Sequence, residues 1–410
     1  MRDRAREVVV TGVGVCCNLG DDLDAIEGAL RAGRGGPFVR YDEAVRYDAR
    51  CQIIGLYEGD LSDAGLGVKK AVGRFLGRAS RLALRAARTA IDRASYSRND
   101  LAVVVGSGTG DVETHITMQA RLEATGDAKK IVPTVIPRLM ASTVSANLVN
   151  VLQTTGPSFS VAAACAGGAY NLLLAAELIE RGHCEAALAG GAEVADPHFY
   201  AGFDSMRAYN SQDNDDPSRA SRPYAADRAG FVFGEGAGIL LLETRASAEA
   251  RGAPILGVIA GYGMSSDGDG EMVQPSPAGA KAAMRKALSH AGITPEQVAY
   301  VNTHGTSTPL GDVSEVNAVR QLLDHRLVPY SSTKGYTGHT VSAAGAIEAI
   351  FTLSMLRGGW LAPSIHAEPL DPALVDYPPV LHPTSTDAAL ALSNSFGFGG
   401  TNVSLALAKG

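Results

Sequence analysis

Three side chains in this sequence stand where nucleophilic chemistry is feasible. Cys165 lies in "VAAACAGGAYNLLLAAELIERG", where a run of small residues gives way to an apolar helix. A thiol at a helix start can be held as a thiolate, because unpaired N–H groups and the positive end of the helix dipole lower its pKa. His304 in "YVNTHGTSTPLGD" and His339 in "SSTKGYTGHTVSAAGA" sit in loops rich in glycine and hydroxyls, where functional residues concentrate. Taken singly, each is ordinary. Free cysteine is among the most buried residue types, and either histidine could be a satisfied structural group. Lys334 lies five residues before His339, and Glu348 nine after it, inside an apolar helix. A lone Glu there needs a partner, and Lys334 is the candidate. Near the C-terminus, "ALSNSFGFGGTNVSLAL" is either a tight turn between strands or a loop whose backbone can approach a ligand closely.

The elements that must carry these residues alternate between strand and helix, which makes the class α/β. "EVVVTGVGVCCNLG", "LAVVVGSGTGD", "CEAALAGGAEV", "GAGILLLET" and "ILGVIAGYGMSSDGDG" read as strands, several of them running into glycines. "DDLDAIEGALRAG" reads as a helix with acids at its start and Gly33 past its end, and "SRLALRAARTAIDRA" as another. The stretch after Cys165 and the stretch "TVSAAGAIEAIFTLSMLRGG" share one design: small residues, an apolar helix, then Arg-Gly. Helices apolar all round are buried ones. Two such helices suit a duplicated α/β unit, with a boundary near residues 243 to 255 and halves at 1–250 and 251–410.

Composition limits the function classes. The 410 residues are too many for one small core; 46% are hydrophobic and 19% charged, as in a globular chain. A net charge of -7 without a long Lys/Arg run argues against nucleic acid and membrane surfaces as partners. The five cysteines are odd in number and include no C-x-x-C, so neither a disulfide framework nor a zinc ribbon is expected. The N-terminus lacks a signal-peptide core, and no apolar run is expected to reach membrane-spanning length. The location expected is cytoplasmic. The glycine stretches fail G-x-G-x-x-G and Walker A spacing, so no nucleotide is expected, and no metalloprotease-type ligand spacing appears.

In family order, "AAACAGG", "RAYN…ASRPY…FVFGEGAG", "NTHGTSTPLGD", "STKGYTGH" and "NSFGFGGTN" make the whole chain resemble the β-ketoacyl-acyl carrier protein synthases of the thiolase-like superfamily, with "THGTSTPLGD" and "SMLRGGWLAPSIH" resembling the KAS I/II branch. The resemblance implies a five-layered α-β-α-β-α fold of two duplicated halves. It implies that Cys165 is acylated from a carrier protein's pantetheine thioester, and that His304 and His339 stabilise the enolate formed when malonyl-carrier protein loses its carboxylate. Lys334 then shapes the field and holds Glu348. The amides of Cys165 and Phe398 form an oxyanion hole, with Phe398 also gating the acyl pocket. Thr306 and Thr308 bind the pantetheine arm, and Thr109, Ile131, Phe203 and Phe396 lie along the substrate path. Asn302, Glu348, Ser393 and Asn394 match a site for a structural monovalent cation. No organic cofactor is implied, because decarboxylation supplies the carbanion.

Three departures from the family pattern point to a specialised synthase. Ser342 stands where Gly is usual, Ala229 where Asp is usual, and "CAGG" replaces "CATS" or "CSSS". The partners implied are acyl carrier protein in acyl and malonyl forms, and either a second copy or a chain-length-factor-like subunit. An acidic carrier meeting an acidic chain requires a local basic patch. Lys69, Lys70, Arg74 and Arg78 in "VKKAVGRFLGRAS", with Lys129 and Lys130, are the candidates, or else a solvated helix face. The leading expectation is fatty-acid condensation. The alternatives are the ketosynthase of a type II polyketide or polyene system and, least in keeping with Cys165, His304 and His339, a non-catalytic chain-length partner.

Overall fold

The structure, a computed structural model, describes residues 4–268 and 272–410. The end of the stretch read as "SSDGDG" (residues 269 and 270) lies outside the described residues. Ten strands form the central array: β1 (Val8–Cys16), β2 (Ala102–Gly106), β3 (Ser158–Phe159), β4 (Ala186–Glu193), β5 (Gly236–Thr244), β6 (Gly257–Ser266), β7 (Tyr300–Asn302), β8 (Tyr330–Ser331), β9 (Leu390–Gly397) and β10 (Thr401–Ala408). Their spatial order is β8-β7-β9-β10-β6-β1-β5-β4-β2-β3. Outward from the seam, the first half reads β1-β5-β4-β2-β3 and the second β6-β10-β9-β7-β8. Each strand of one half has its counterpart five strands later. Pairing repeats as well: β1/β5, β5/β4, β6/β10 and β10/β9 are antiparallel, while β4/β2, β2/β3, β9/β7 and β7/β8 are parallel. The halves join where β1 pairs antiparallel with β6 through Val9–Val258 and Val10–Gly257.

The principal helices are α1 (Leu23–Arg31), α2 (Arg78–Ala94), α3 (Gly167–Glu180), α4 (Pro277–Ala291), α5 (Pro309–Leu322) and α6 (Ala344–Gly358). Asp22 caps α1, accepting from the amides of Asp24 and Ala25, and Gly33 follows it at φ 63°. Three cores stack between the layers. One joins α3 and α6 to strands of both halves, one packs α2 on the first half, and one packs α4 and α5 on the second. The result is the α-β-α-β-α order, with α3 and α6 as its middle layer.

The glycines that could have suggested a nucleotide loop serve packing instead. A Cβ built on Gly12 or Gly14 of β1 would fall 2.0 Å from the carbonyl oxygen of Ala90 or Ala86 on α2. Their counterparts in β6, Gly261 and Gly263, stand the same way against Ala287 and Ala283 of α4, at 2.6 and 2.2 Å. Only glycine lets helix and strand approach this closely.

One expectation needs correction. The segment Val341–Gly358 is long and apolar enough to cross a membrane, yet 89% of it is buried inside the fold. Every residue from Ala344 to Leu356 is buried. A helix enclosed by the two halves of the sheet and a sister helix is apolar on all sides for the same reason a membrane helix is.

Candidate active site

The chain reaches Cys165 through a tight corner between β3 and α3. Ala164 adopts φ 45°, a left-handed conformation costly for a side chain with a Cβ. The amides of Ala166 and Gly167 close the turn on the carbonyls of Ala163 and Ala164, at 2.9 and 3.1 Å. The thiol is therefore presented just before the first turn of α3, and it is buried. The β9–β10 connection covers it. A Cβ on Gly397 would stand 3.1 Å from the amide nitrogen of Cys165, and Thr401 Oγ1 donates to Ala163 O at 3.2 Å. Gly399 (φ 79°) and Gly400 (φ 71°) let that loop fold back. The N–H of Phe398 and that of Cys165 itself both reach the sulfur. Two converging amides at a nucleophile are the parts of an oxyanion hole.

From the second half come the two imidazoles. His304 follows β7, with its amide and that of Gly305 donating to the two oxygens of Glu315 on α5, each at 2.9 Å. His339 follows the short helix Lys334–Thr337. The rings meet edge to face at 5.2 Å and 85°, and the ligating atoms of Cys165, His304 and His339 all lie within 4.8 Å of one another. Lys334 is buried behind them. Its ammonium pairs with Glu348, donates to His304 O at 2.6 Å, and stands 3.4 Å from His304 Nδ1. An ammonium can only donate, so His304 Nδ1 accepts and the ring carries its proton on Nε2, facing the cavity. His339 Nδ1 has no partner among the described residues.

Burial, then the Lys334 charge, holds both histidines well below the usual imidazole pKa, so both rings are neutral N–H donors. Burial also pushes the Cys165 thiol up to about 12, opposed by Lys334 and the Phe398 amide. This reverses the expectation of a lowered thiol pKa. The helix-start position is real, but the apolar enclosure by Phe203, Phe231 and Phe398 that excludes water outweighs it. Burial raises Glu348 to about 7 against the pull of Lys334, and Glu315 to about 7 against its amide donors. Cys165, His304 and His339 form a soft ligand set of the kind zinc takes, but the Lys334 ammonium beside them opposes a second positive charge.

A cavity of about 490 Å³ opens onto the three residues. Thr306, Thr308, Phe203, Phe396 and Phe398 line it, as does Ala229. Thr306 and Thr308 share a hydroxyl contact at 3.0 Å. Thr109 and Ile131 lie outside the cavity: Thr109 turns its hydroxyl toward Glu193 at 3.5 Å, and Ile131 ends the turn Ala128–Lys130. Exposed Met206, Met272, Val273 and Leu310 form the cavity's rim, and sequence reasoning missed them. It missed Glu315 too, which lies in the second turn of α5, one turn after the helix-start acid Asp312. Of the basic candidates, Lys69, Lys70, Arg74, Lys129 and Lys130 are exposed. Arg78 is exposed as well, and its guanidinium pairs with the fully buried Glu235. The stretch is no continuous helix face: a short helix, Lys70–Gly73, precedes α2.

The four residues assigned to a cation fit it in part. Asn302 and Ser393 are neighbours across β7 and β9. Asn302 Oδ1 and Glu348 Oε2 are buried oxygens without a hydrogen-bond partner among the described residues. The Asn394 side chain is instead used up, donating to Glu315 at 3.0 Å and accepting from Ser404 at 2.8 Å.

The family model for the Beta-ketoacyl synthase, N-terminal domain, matches residues 5–248, and that for the C-terminal domain matches residues 256–368. The chain is 37% identical over 407 residues to 3-oxoacyl-acyl-carrier-protein synthase 1 of Haemophilus influenzae, covering 98% of each chain. It superposes on a Beta-ketoacyl synthase from Burkholderia phymatum with a TM-score of 0.92 at 33% identity, covering 98% of this chain and 99% of that one. It also matches the ishigamide ketosynthase/chain length factor with a TM-score of 0.89 at 28% identity, over 99% of this chain and 100% of that one.

Proposed function

The chain belongs to the beta-ketoacyl synthase family, and on that premise we propose how its residues perform the condensation. The enzyme is an acyltransferase that joins a Cys165-bound acyl chain to malonyl-carrier protein. The observation that carries the reading is the convergence of Cys165, His304 and His339 within 4.8 Å, beneath the Phe398 amide. In the first step Cys165 sulfur attacks the acyl thioester carbonyl. The bond to pantetheine sulfur breaks, and the Cys165 proton ends on that departing sulfur. A thiol with a raised pKa needs a base as the bond forms, and the His339 nitrogen facing it serves in the tautomer that carries its hydrogen on Nδ1, which has no other partner among the described residues. The Cys165 and Phe398 amides hold the tetrahedral oxygen.

Malonyl thioester then occupies the cavity, with Thr306 and Thr308 along its pantetheine arm. Its carboxylate leaves as carbon dioxide, and the electron pair of that bond passes into an enolate. The enolate oxygen accepts from His304 and His339, which is why both rings must remain neutral donors. The enolate carbon attacks the acyl carbonyl, a carbon–carbon bond forms, and the Cys165 thiolate departs and takes up a proton from solvent, the one proton the condensation consumes. Lys334 and Glu348 hold the two rings in this state. Mass spectrometry after mixing with acyl-carrier proteins of graded length tests the assignment: acyl mass on Cys165 supports it, and none on any length removes it.

Asn302 and Glu348, with Ser393 beside them, would hold a structural monovalent cation against the base of α6. Lys69, Lys70, Arg74, Lys129 and Lys130 are proposed to dock an acidic carrier protein. A cytoplasmic location fits five unpaired cysteines. A second reading, the ketosynthase of a polyketide or polyene system, is favoured by the likeness to the ishigamide ketosynthase/chain length factor. In either reading the exposed apolar Val132, Ile136 and Met140 are suited to cover by a second subunit, like or unlike. Co-purification with a paired subunit, against a self-associated dimer by native mass spectrometry, separates the two.

A further inference from the structure

Ser342 is the middle residue of the turn Val341–Ala343, which leads from His339 into α6, and it sits in a socket between the halves. Its amide donates to Glu193 Oε2 at 3.4 Å and its hydroxyl to Ala192 O at 3.0 Å. Both polar ends are thus tied to the last residues of β4. Its carbonyl oxygen rests on glycine faces: a Cβ on Gly168 would stand 2.7 Å from it, and one on Gly191 2.3 Å. Its own Cβ faces Gly167, the first residue of α3, where an added Cβ would stand 3.1 Å away. Glu193 braces the turn from behind. It is fully buried and also accepts from the Gly108 amide at 3.1 Å and from Ser107 Oγ at 3.3 Å.

From this geometry we infer that Ser342 and Gly167 are a coupled pair of positioning residues. Ser342 occupies the space over the first turn of α3 that a side chain at 167 would fill, and the pair sets the separation between the Cys165 turn and the His339 turn. Neither lines the cavity. Displacement at Gly167 passes directly to the nucleophile, because the Gly167 amide bonds Ala164 O and Ala164 is already left-handed. Displacement at Ser342 passes to His339 through Val341, also left-handed at φ 42°. Strained residues of this kind persist only where the surroundings over-determine them. The pair also gives a physical reason for two departures noted in the sequence: a Thr or Ser of the family at 167 and a Gly at 342 are exchanged here for Gly and Ser.

The inference rests on the reading of Cys165 and His339 as reacting groups, and its test is a cycle of four full-length proteins: parent, Gly167→Ser, Ser342→Gly and the double variant. The readout is elongation of acyl-carrier protein, normalised to the Cys165 that iodoacetamide titrates. Gly167→Ser is expected to lower kcat about tenfold, as shifts of fractions of an ångström do at reacting groups, with the carrier KM unchanged. Adding Ser342→Gly is expected to restore kcat to within about twofold of the parent, far from additivity. A parent-like kcat for Gly167→Ser overturns the inference, as does a double variant no better than the product of the single ones. If Gly167→Ser fails to fold, Gly167→Ala introduces the same Cβ, and lack of rescue by Ser342→Gly is then the overturning result. If the parent itself never acylates Cys165, the functional reading falls, and additive Tm shifts across the same four proteins would overturn the coupling separately.

Discussion

In the first half the chain leaves β3 at Phe159, passes Ala164 at φ 45°, and enters α3 at Gly167 with Cys165 on the corner. In the second it leaves β8 at Ser331, passes Val341 at φ 42°, and enters α6 at Ala344 with His339 on the corner. The two corners occupy equivalent places in a duplicated scaffold, yet they are furnished differently. Aromatic and aliphatic groups surround Cys165. Behind the histidines lie the buried Lys334, Glu348 and Glu315. In the proposed reading the first half supplies a nucleophile that is hard to ionise, and the second supplies donors kept neutral by burial and then by the Lys334 charge. The lesson is a division of labour: duplication provides two facing corners, and separate surroundings give each its own proton chemistry.

The sharpest way to break this comparison is to remove the nucleophile. Cys165→Ala is expected to abolish condensation and acyl loading, as measured by intact mass; wild-type loading on that variant ends the assignment. Next in size are the donors. His304→Ala and His339→Ala should each slow malonyl decarboxylation by about 10²–10³-fold, the usual loss for one oxyanion donor. Carbon dioxide release measures this, and near-parent rates in either would remove the proposed role. The polar half should also prove interdependent. Lys334→Met strands Glu348 in the core, and breaking a buried pair costs roughly 3–5 kcal/mol. Adding Glu348→Gln should recover part of the lost Tm; a single variant as stable as the parent contradicts the pairing.

A smaller effect separates the imidazoles from the carboxyls by pH. The folded pKa of each histidine lies well below its unfolded value near 6.5, so their contribution is present above about pH 6.5 and lost as pH falls below it. Glu193, Glu315 and Glu348, each raised to about 7, act oppositely and favour the fold as pH falls from 7 toward their unfolded values. The His304→Gln/His339→Gln variant should therefore gain Tm relative to the parent as pH drops from 7 to 5. A constant difference would mean that the rings are not held neutral. The smallest expected effect is at the surface. Reversing Lys69, Lys70 and Arg74 to Glu should raise the carrier KM several-fold and flatten its salt dependence, with kcat retained. An unchanged KM moves docking elsewhere.

Much of the site was legible because its signals are local. A thiol before an apolar helix, histidines in hydroxyl-rich loops and a lone Glu in a buried helix each fall within a short window, and the Lys334–Glu348 pair followed from the cost of an unpaired buried charge. Signals that cross the chain were not legible. Glu315 reaches the His304 amide from α5, and Arg78 pairs with Glu235; the meeting of the Phe398 and Cys165 amides came from the family resemblance and not from any local signal.

The sequence by itself determined the class of fold, its duplication, and the residue types at the chemical corner, since periodicity and small-residue runs are properties of neighbouring positions. Tertiary structure alone decided the proton affinity of the thiol. The thiol's pKa rises rather than falls, because desolvation depends on what closes over the sulfur and not on where it lies along a helix. The same holds for Ser342 and Gly167: the sequence marks each as a departure in its own stretch, and only the approach of the two halves brings one Cβ into the space the other leaves open.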